Sequence, residues 1–433
     1  MAIRLSTSDT GFKAGFEKLL DQSRETAADV SDIVSNILKD VSARGDTAVL
    51  EYTNQFDRLT LENAAQLKFN DAEIKAAVKA CDPETLDALK IAAKRIEAYH
   101  LKQKPENLRY RDADDIELGY RWTAIEKVGL YVPGGLATYP SSVLMNAIPA
   151  KVAGASRLVM VVPTPDGAVN PLVLAAAHMC GVHEIYRIGG AQAIGALAFG
   201  TRSISPVDKI VGPGNAFVAT AKKQVFGTVG IDMIAGPSEI LVVADNQNDP
   251  AWVAADLLSQ AEHDPVAQSI LITDDTQFAD LVEAAVTSHL ATLPRADIAA
   301  DSWKNYGAIL IVADMEEAPE LINAIAPEHL ELCVSDPEAL ADEVRHAGAI
   351  FLGRYTPEAI GDYIAGPNHV LPTSRTARFS SGLSTLDFMK RTSLIKLDAA
   401  GLQKIGPPAV KLAQSEGLGA HALSIAIRLN MPS

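Results

Sequence analysis

The rhythm of apolar and polar positions changes several times along the chain, and each change marks a different architecture. Over residues 1 to about 105, apolar positions recur every three or four residues, in 12–24, 28–44 and 82–102, so this region is predicted to be helical. Asn70-Asp71-Ala72-Glu73 has the form of a helix start in which cap and glutamate satisfy each other's backbone N–H groups. Residues 108–125 alternate in places around Asp112-Ala113-Asp114-Asp115, which predicts a β-hairpin. From Val128 short apolar runs at 129–132, 158–162, 185–188 and 209–211 alternate with helical stretches. The alternation repeats with strands at 240–243, 269–273, 308–312, 330–334 and 349–352. Strands alternating with helices imply parallel sheets covered on both faces. The reading is therefore two similar α/β domains in tandem, with a boundary near Ala235-Gly236-Pro237-Ser238. Beyond about Phe379 the alternation stops. The tail, with Pro407-Pro408 and the run 409–429, is expected to form short helices rather than a third sheet.

Composition narrows the class without naming a function. A chain of 433 residues with 48% hydrophobic and 21% charged residues has room for two or three domains of ordinary globular make-up. A net charge of −16 and the absence of a Lys/Arg stripe argue against nucleic-acid binding. No apolar run reaches the ~18 residues of a membrane span, and the start, MAIRLSTSDTGF, lacks the hydrophobic core of a signal peptide. Cys81, Cys180 and Cys333 stand too far apart for a CxxC site or a disulfide framework. A cytoplasmic enzyme fits.

Three glycine turns follow predicted strands and open predicted helices: Pro133-Gly134-Gly135, Gly189-Gly190 and Gly212-Pro213-Gly214. Glycine lets the backbone approach a pyrophosphate, and a helix N-terminus favours its charge. None completes G-x-G-x-x-G, because Phe217 stands where the third glycine belongs. Each turn alone is explained by local backbone geometry; together they point to a nucleotide site beyond the carboxyl ends of the strands.

Candidate chemistry gathers in the second half. Gln260 and His263, three apart at a helix end, share one face and offer an amide oxygen and an imidazole to a metal; they also fit a solvated helix end. Glu328-His329 is either exposed polarity or an acid–base pair. Asp362 lies in a turn-rich stretch ending at His369, where an aspartate can serve simply as a cap. Glu416 and His421 stand five apart in the tail. Spacing alone does not bring these residues to one place.

Longer motifs carry a resemblance. Tyr131-Val-Pro-Gly-Gly, Pro140 through Lys151, Gly189-Gly-Ala-Gln192, Val211-Gly-Pro-Gly-Asn215, Ile234-Ala-Gly-Pro-Ser238 and the Gln260/His263 stretch resemble histidinol dehydrogenases. So do Pro327-Glu-His329, Gly361-Asp362 through Leu371-Pro372, Phe379-Ser-Ser-Gly-Leu and Glu416-Gly-Leu-x-x-His421, in order from about residue 10 to 430. The resemblance implies oxidation of L-histidinol to L-histidine through an aldehyde with two NAD⁺. It implies Zn²⁺ on Gln260, His263, Asp362 and His421, and Glu328 and His329 as catalytic acid–base groups. It places NAD⁺ on Tyr131, Gln192 and Asn215. Substrate would meet Ser238, His369 and Glu416 together with His329 and the four metal positions.

The implied architecture is a homodimer of two incomplete Rossmann-like domains, aldehyde-dehydrogenase-like, with an N-terminal helical region and a C-terminal helical tail. The expected divisions are 1–127, 128–235 for NAD⁺, 236–379 for zinc and catalysis, and 380–433 exchanged with the partner subunit. Ser374-Arg375 departs from the family, many of whose members carry two glycines there; a loop change without catalytic consequence is expected. A related dehydrogenase acting on a sulfonated diol is disfavoured, because Glu416 and His369 suit a cationic amine. A zinc hydrolase would need no nucleotide, and a non-catalytic scaffold would need no acid–base pair.

Overall fold

The computed structural model describes residues 2–22, 30–134, 139–234 and 236–431. Gly135, Ala235, the last two residues of the helix expected over 12–24 and the first two of that expected over 28–44 lie outside them. The chain begins with β1 (Ile3–Ser6), then α1 (Phe12–Leu20), α2 (Ser31–Arg44), α3 (Asp46–Phe56), α4 (Asp71–Ala80) and α5 (Pro83–Lys102), followed by the hairpin strands β2 (Leu108–Arg111) and β3 (Glu117–Ala124). The first α/β unit runs β4 (Lys127–Tyr131), α6 (Pro140–Ala153), β5 (Arg157–Val161), α7 (Pro171–Cys180), β6 (Glu184–Tyr186), α8 (Gly190–Phe199), β7 (Lys209–Val211), α9 (Ala216–Val225) and β8 (Gly230–Ile231). The second runs β9 (Glu239–Ala244), α10 (Pro250–Ala261), β10 (Gln268–Thr273), α11 (Thr276–Leu290), α12 (Ala296–Tyr306), β11 (Ala308–Ile311), α13 (Ala318–Ile325), β12 (His329–Cys333), α14 (Pro337–Asp342), β13 (Ala349–Leu352) and α15 (Glu358–Tyr363). β14 (Met389–Lys396), α16 (Ala399–Ser415) and α17 (Gly419–Ala426) close the chain.

The two units repeat one topology. The first sheet is ordered β6-β5-β4-β7-β8 and the second β1-β11-β10-β9-β12-β13, all parallel; with each unit's own strands numbered along the chain, both read three-two-one-four-five. That is the doubly wound order short of its sixth strand. Burial on both faces explains the near-continuous apolar strands. On β9, Ile240, Val242 and Ala244 enter one core layer while Leu241 and Val243 enter the opposite one. The N-terminal helices supply cover for the first sheet: α2 packs on α8 and α9, α4 on α7 and α5 on α6. Asn70 and Glu73 form the expected reciprocal cap of α4.

Two expectations are corrected. The N-terminal region is not helical throughout, since β1 adds to the second sheet beside β11. The tail is not made only of short helices. β14 pairs antiparallel with β3 along eight residues, making the hairpin a three-stranded sheet, and α16 spans 17 residues with Pro407 and Pro408 inside it. No helix among the described residues is long and apolar enough to cross a membrane.

Candidate active site

Two groups of candidate residues stand out, one in each unit. In the first unit they lie at the carboxyl ends of β4 and β7, where the strand order reverses. Tyr131 ends β4, is buried, and accepts a hydrogen bond from Gly190 N–H at 3.2 Å through its hydroxyl oxygen. Burial pushes that phenol up to about 12, so it stays protonated and neutral. Gln192 is buried on α8, and its Oε1 has no hydrogen-bond partner among the described residues. Asn215 is exposed and caps α9, accepting from Val218 N–H at 3.2 Å. Gly212 is obligatory: its φ is +113°, and a Cβ would lie 2.0 Å from the Tyr131 carbonyl oxygen.

In the second unit the reactive groups gather at the amino ends of the strands, the opposite ends to those the first unit uses. α10 returns from the far end of β9 and delivers Gln260, with His263 just beyond, beside the start of β12. There Glu328 and His329 open the strand, both buried. Glu328 Oε2 accepts from Glu239 N–H at 2.9 Å. Burial, then the neighbouring Glu239 charge, holds Glu328 well above the usual carboxylate range. His329 Nδ1 lies 3.0 Å from the Glu239 carbonyl oxygen and 3.1 Å from Gln260 Nε2. A carbonyl can only accept, so its bond requires the proton on Nδ1 and leaves a lone pair on Nε2. The Gln260 amide nitrogen cannot donate to the same protonated atom, so this approach is a contact rather than a hydrogen bond in that tautomer. Burial lowers the His329 pKa, which favours this neutral form.

The lone pair on Nε2 faces α15. Glu358 Oε1 lies 3.7 Å away and Asp362 Oδ1 3.9 Å, and one ligand atom from each of His329, Glu358 and Asp362 falls within 4.8 Å of the others. Burial, then the neighbouring Glu358 charge, holds the Asp362 pKa well above the usual carboxylate range. Among the described residues, Gln260 Oε1, His329 Nε2 and Glu358 Oε1 are buried without hydrogen-bond partners. Orphaned buried acceptors beside crowded carboxylates are costly unless a cation joins them, so the Gln260, Glu358 and Asp362 oxygens suit a divalent metal, with the His329 Nε2 lone pair beside them to accept a proton. Glu358 was not singled out from sequence; its place one helical turn before Asp362, on the same face, was the available signal.

His369 Nδ1 lies 3.0 Å from the Asp362 carbonyl oxygen and its Nε2 3.4 Å from Ser142 Oγ on α6. Burial takes its pKa down to about 4. The His263 ring meets Tyr139, at the start of α6, edge-on at 6.5 Å. Through these contacts the second unit's cluster abuts the first unit. Ser238 directly precedes β9 at this same end, and its carbonyl accepts from Gln268 N–H at 3.0 Å. Ser374 and Arg375 both hold positive φ, 52° and 63°, where glycine would be unstrained. The loop they form borders the site, because Ser374 N–H donates to the Glu239 carboxylate at 2.9 Å.

Of the four expected metal positions, Asp362 belongs to the three-residue cluster and Gln260 adjoins it; His263 and His421 are not in that cluster. Glu416 and His421 are exposed on the α16–α17 hairpin. Its small core holds Val410, Ala422 and Ala426, with Ile425 packed against them. Leu412, Leu418, Leu423 and Ile427 are 43–64% exposed, an apolar face without cover in one chain. Ile425 and Leu429 instead pack against Gly406 within the hairpin.

The same chain of motifs is matched by known proteins. Residues 20–429 fit the model of the histidinol dehydrogenase family. This chain belongs to that family. It is 65% identical over 431 residues to histidinol dehydrogenase of Rhodospirillum rubrum, covering 99% of each chain, and 60% identical to that of Rhizobium meliloti, covering 100% of this chain and 99% of the relative. The crystal structure of histidinol dehydrogenase from Elizabethkingia anophelis superposes with a TM-score of 0.94 at 36% identity, covering 99% of this chain and 98% of that one. The protein is an oxidoreductase.

Proposed function

We propose that the protein oxidises L-histidinol to L-histidine through L-histidinal, as the last step of histidine biosynthesis, passing one hydride to each of two NAD⁺ and using one Zn²⁺ per subunit. The observation that carries this reading, beyond family membership, is the set of buried, unpartnered acceptors around Asp362 beside a neutral imidazole. Residues 128–235 are assigned to NAD⁺, with Tyr131, Gln192 and Asn215 as contacts. Residues 236–379 are assigned to metal and proton chemistry, 1–127 to cover, and 380–433 to an arm exchanged within a homodimer. Gln260, His263 and Asp362, with His421 from the partner subunit, would hold the metal. When bound, Zn²⁺ supplies Lewis-acid binding of the substrate's amine and imidazole.

The chain's own residues do the rest. His329 Nε2 takes the alcohol proton as hydride leaves carbon for NAD⁺. Glu328, whose burial raises its affinity for a proton, deprotonates water as it adds to the aldehyde. His329, having returned its first proton to the aldehyde oxygen as water added, takes a hydroxyl proton of the hydrate as the second hydride leaves. Ser238, His369 and Glu416 orient the substrate, and holding the aldehyde between steps keeps it from side reactions. The amine of histidinol suits Glu416, whereas a sulfonate would be repelled.

NADH formed per histidinol consumed tests the reading. The expected ratio is two, lost on chelation and regained with Zn²⁺; a ratio of one, or turnover indifferent to metal, contradicts it. The shared site has its own test in mixing two inactive variants, His263→Asn and His421→Asn. Subunit exchange gives a heterodimer with one doubly damaged and one intact site, so activity should recover to about a quarter of wild type. Verified heterodimers without activity would place each tail in its own subunit's site.

A further inference from the structure

The Gly212 turn is held by a pair of ions that no catalytic step uses. Lys222 lies on α9 and Asp232 just beyond β8; their side chains are 4% and 1% exposed and form an ion pair. Both also grip one residue. Asp232 Oδ2 accepts from Gly212 N–H at 2.7 Å, and Lys222 Nζ donates to the Gly212 carbonyl at 2.9 Å. The third side of Gly212 is closed by Tyr131, whose carbonyl oxygen would sit 2.0 Å from a Cβ. Pro213 follows and has no N–H of its own to anchor the turn. The neighbours of Lys222 on α9, Val218, Ala221 and Val225, are buried apolar residues of the core.

A buried ion pair is weak evidence for stability, since two apolar residues of similar size often serve the fold as well or better. Satisfying both peptide groups of one glycine is a more specific result. That glycine sits at the reversal of strand order, between Tyr131 and Asn215. We propose that Lys222 and Asp232 are positioning residues for NAD⁺: they fix the height and tilt of the Gly212–Asn215 turn against Tyr131, and so the shape of the dinucleotide crevice. The inference rests on the assignment of this crevice to NAD⁺. Neither side chain touches the nucleotide; both act through the Gly212 backbone.

The test separates positioning from folding. Lys222→Met combined with Asp232→Asn buries no net charge, keeps an acceptor for Gly212 N–H and removes the donor to its carbonyl. Its KM for NAD⁺ should rise about tenfold or more, with the KM for histidinol changed less than about twofold, because small displacements of a binding loop are amplified in affinity. Asp232→Asn alone keeps both bonds to Gly212, so its KM for NAD⁺ should stay within about threefold of wild type even if its melting temperature falls. Far-UV circular dichroism and melting curves are recorded for both. A folded double variant with wild-type KM for NAD⁺, equal rises for both substrates, or a KM that simply follows melting temperature across the two variants would overturn the proposal. Failure of the wild-type protein to bind NAD⁺, measured by quenching of its fluorescence, would instead remove the assignment beneath it.

Discussion

The two α/β units share a strand order and differ in almost everything the strands present at their working ends. The first uses carboxyl ends, where glycine turns, a neutral phenol and neutral amides meet. There the buried Lys222–Asp232 pair faces a backbone turn. The second uses amino ends, where Glu328, His329, Glu358 and Asp362 are packed side by side. Burial alters proton affinity there in opposite directions, upward for Glu328 and Asp362, downward for His329 and His369. One topology therefore presents two chemically different surfaces. Close backbone approach suits a large polyanionic ligand, and desolvated titratable groups suit proton transfer and a cation.

The comparison breaks first if the second unit's imidazole is dispensable. His329→Gln should lower kcat by about 10²–10⁴-fold, the usual contribution of a general base, while NAD⁺ affinity by fluorescence quenching stays unchanged. A matching loss of NAD⁺ affinity would mean the units do not divide the work. Gly212→Ala makes the converse cut. Its Cβ would strike the Tyr131 carbonyl at a φ of +113°, costing about 3 kcal/mol in unfolding free energy. NAD⁺ binding should weaken, and zinc content measured by atomic emission should be retained. Glu358→Gln refines the second unit. Removing a charge beside Asp362 and His329 should weaken zinc affinity about 10–100-fold in chelator competition, with NAD⁺ binding intact; undiminished zinc affinity would make Glu358 a bystander.

The smallest effect concerns the first unit's cover. His100 is fully buried on α5, its Nδ1 donating to the Ile96 carbonyl at 2.7 Å, and burial lowers its pKa. A folded-state pKa below the unfolded value of about 6.5 means the unfolded chain binds the extra proton. Stability from neutral His100 is thus complete above that pH and is lost as pH falls from there through the lowered folded value, at up to about 1.4 kcal/mol per pH unit. Urea unfolding at several pH values should show this slope, and His100→Asn should flatten it. An unchanged slope in the variant would assign the acid sensitivity elsewhere.

Sequence alone determined what repeats locally. The strands of both units other than the two-residue β8, the reciprocal cap at Asn70 and Glu73, and the glycine turns were legible because each reflects a short-range constraint: burial on two faces, an unsatisfied helix end, a positive φ. Glu328, His329, Gln260 and Asp362 were legible as residues worth attention, and through their motifs as members of a family set. Tertiary structure decided the rest. β1 and β14 escaped because a short edge strand is defined by its partner, β11 or β3, more than by its own pattern. Glu358 escaped because its significance lies in facing His329 across the fold. The use of opposite strand ends in the two units could not be read from periodicity, which is the same in both directions. Nor could the grip of Lys222 and Asp232 on one glycine, since hydrogen bonds between residues ten and twenty apart exist only once helix and strand have packed. Local rules act over a turn or a strand, whereas a site is a meeting of distant segments, and only packing makes them neighbours.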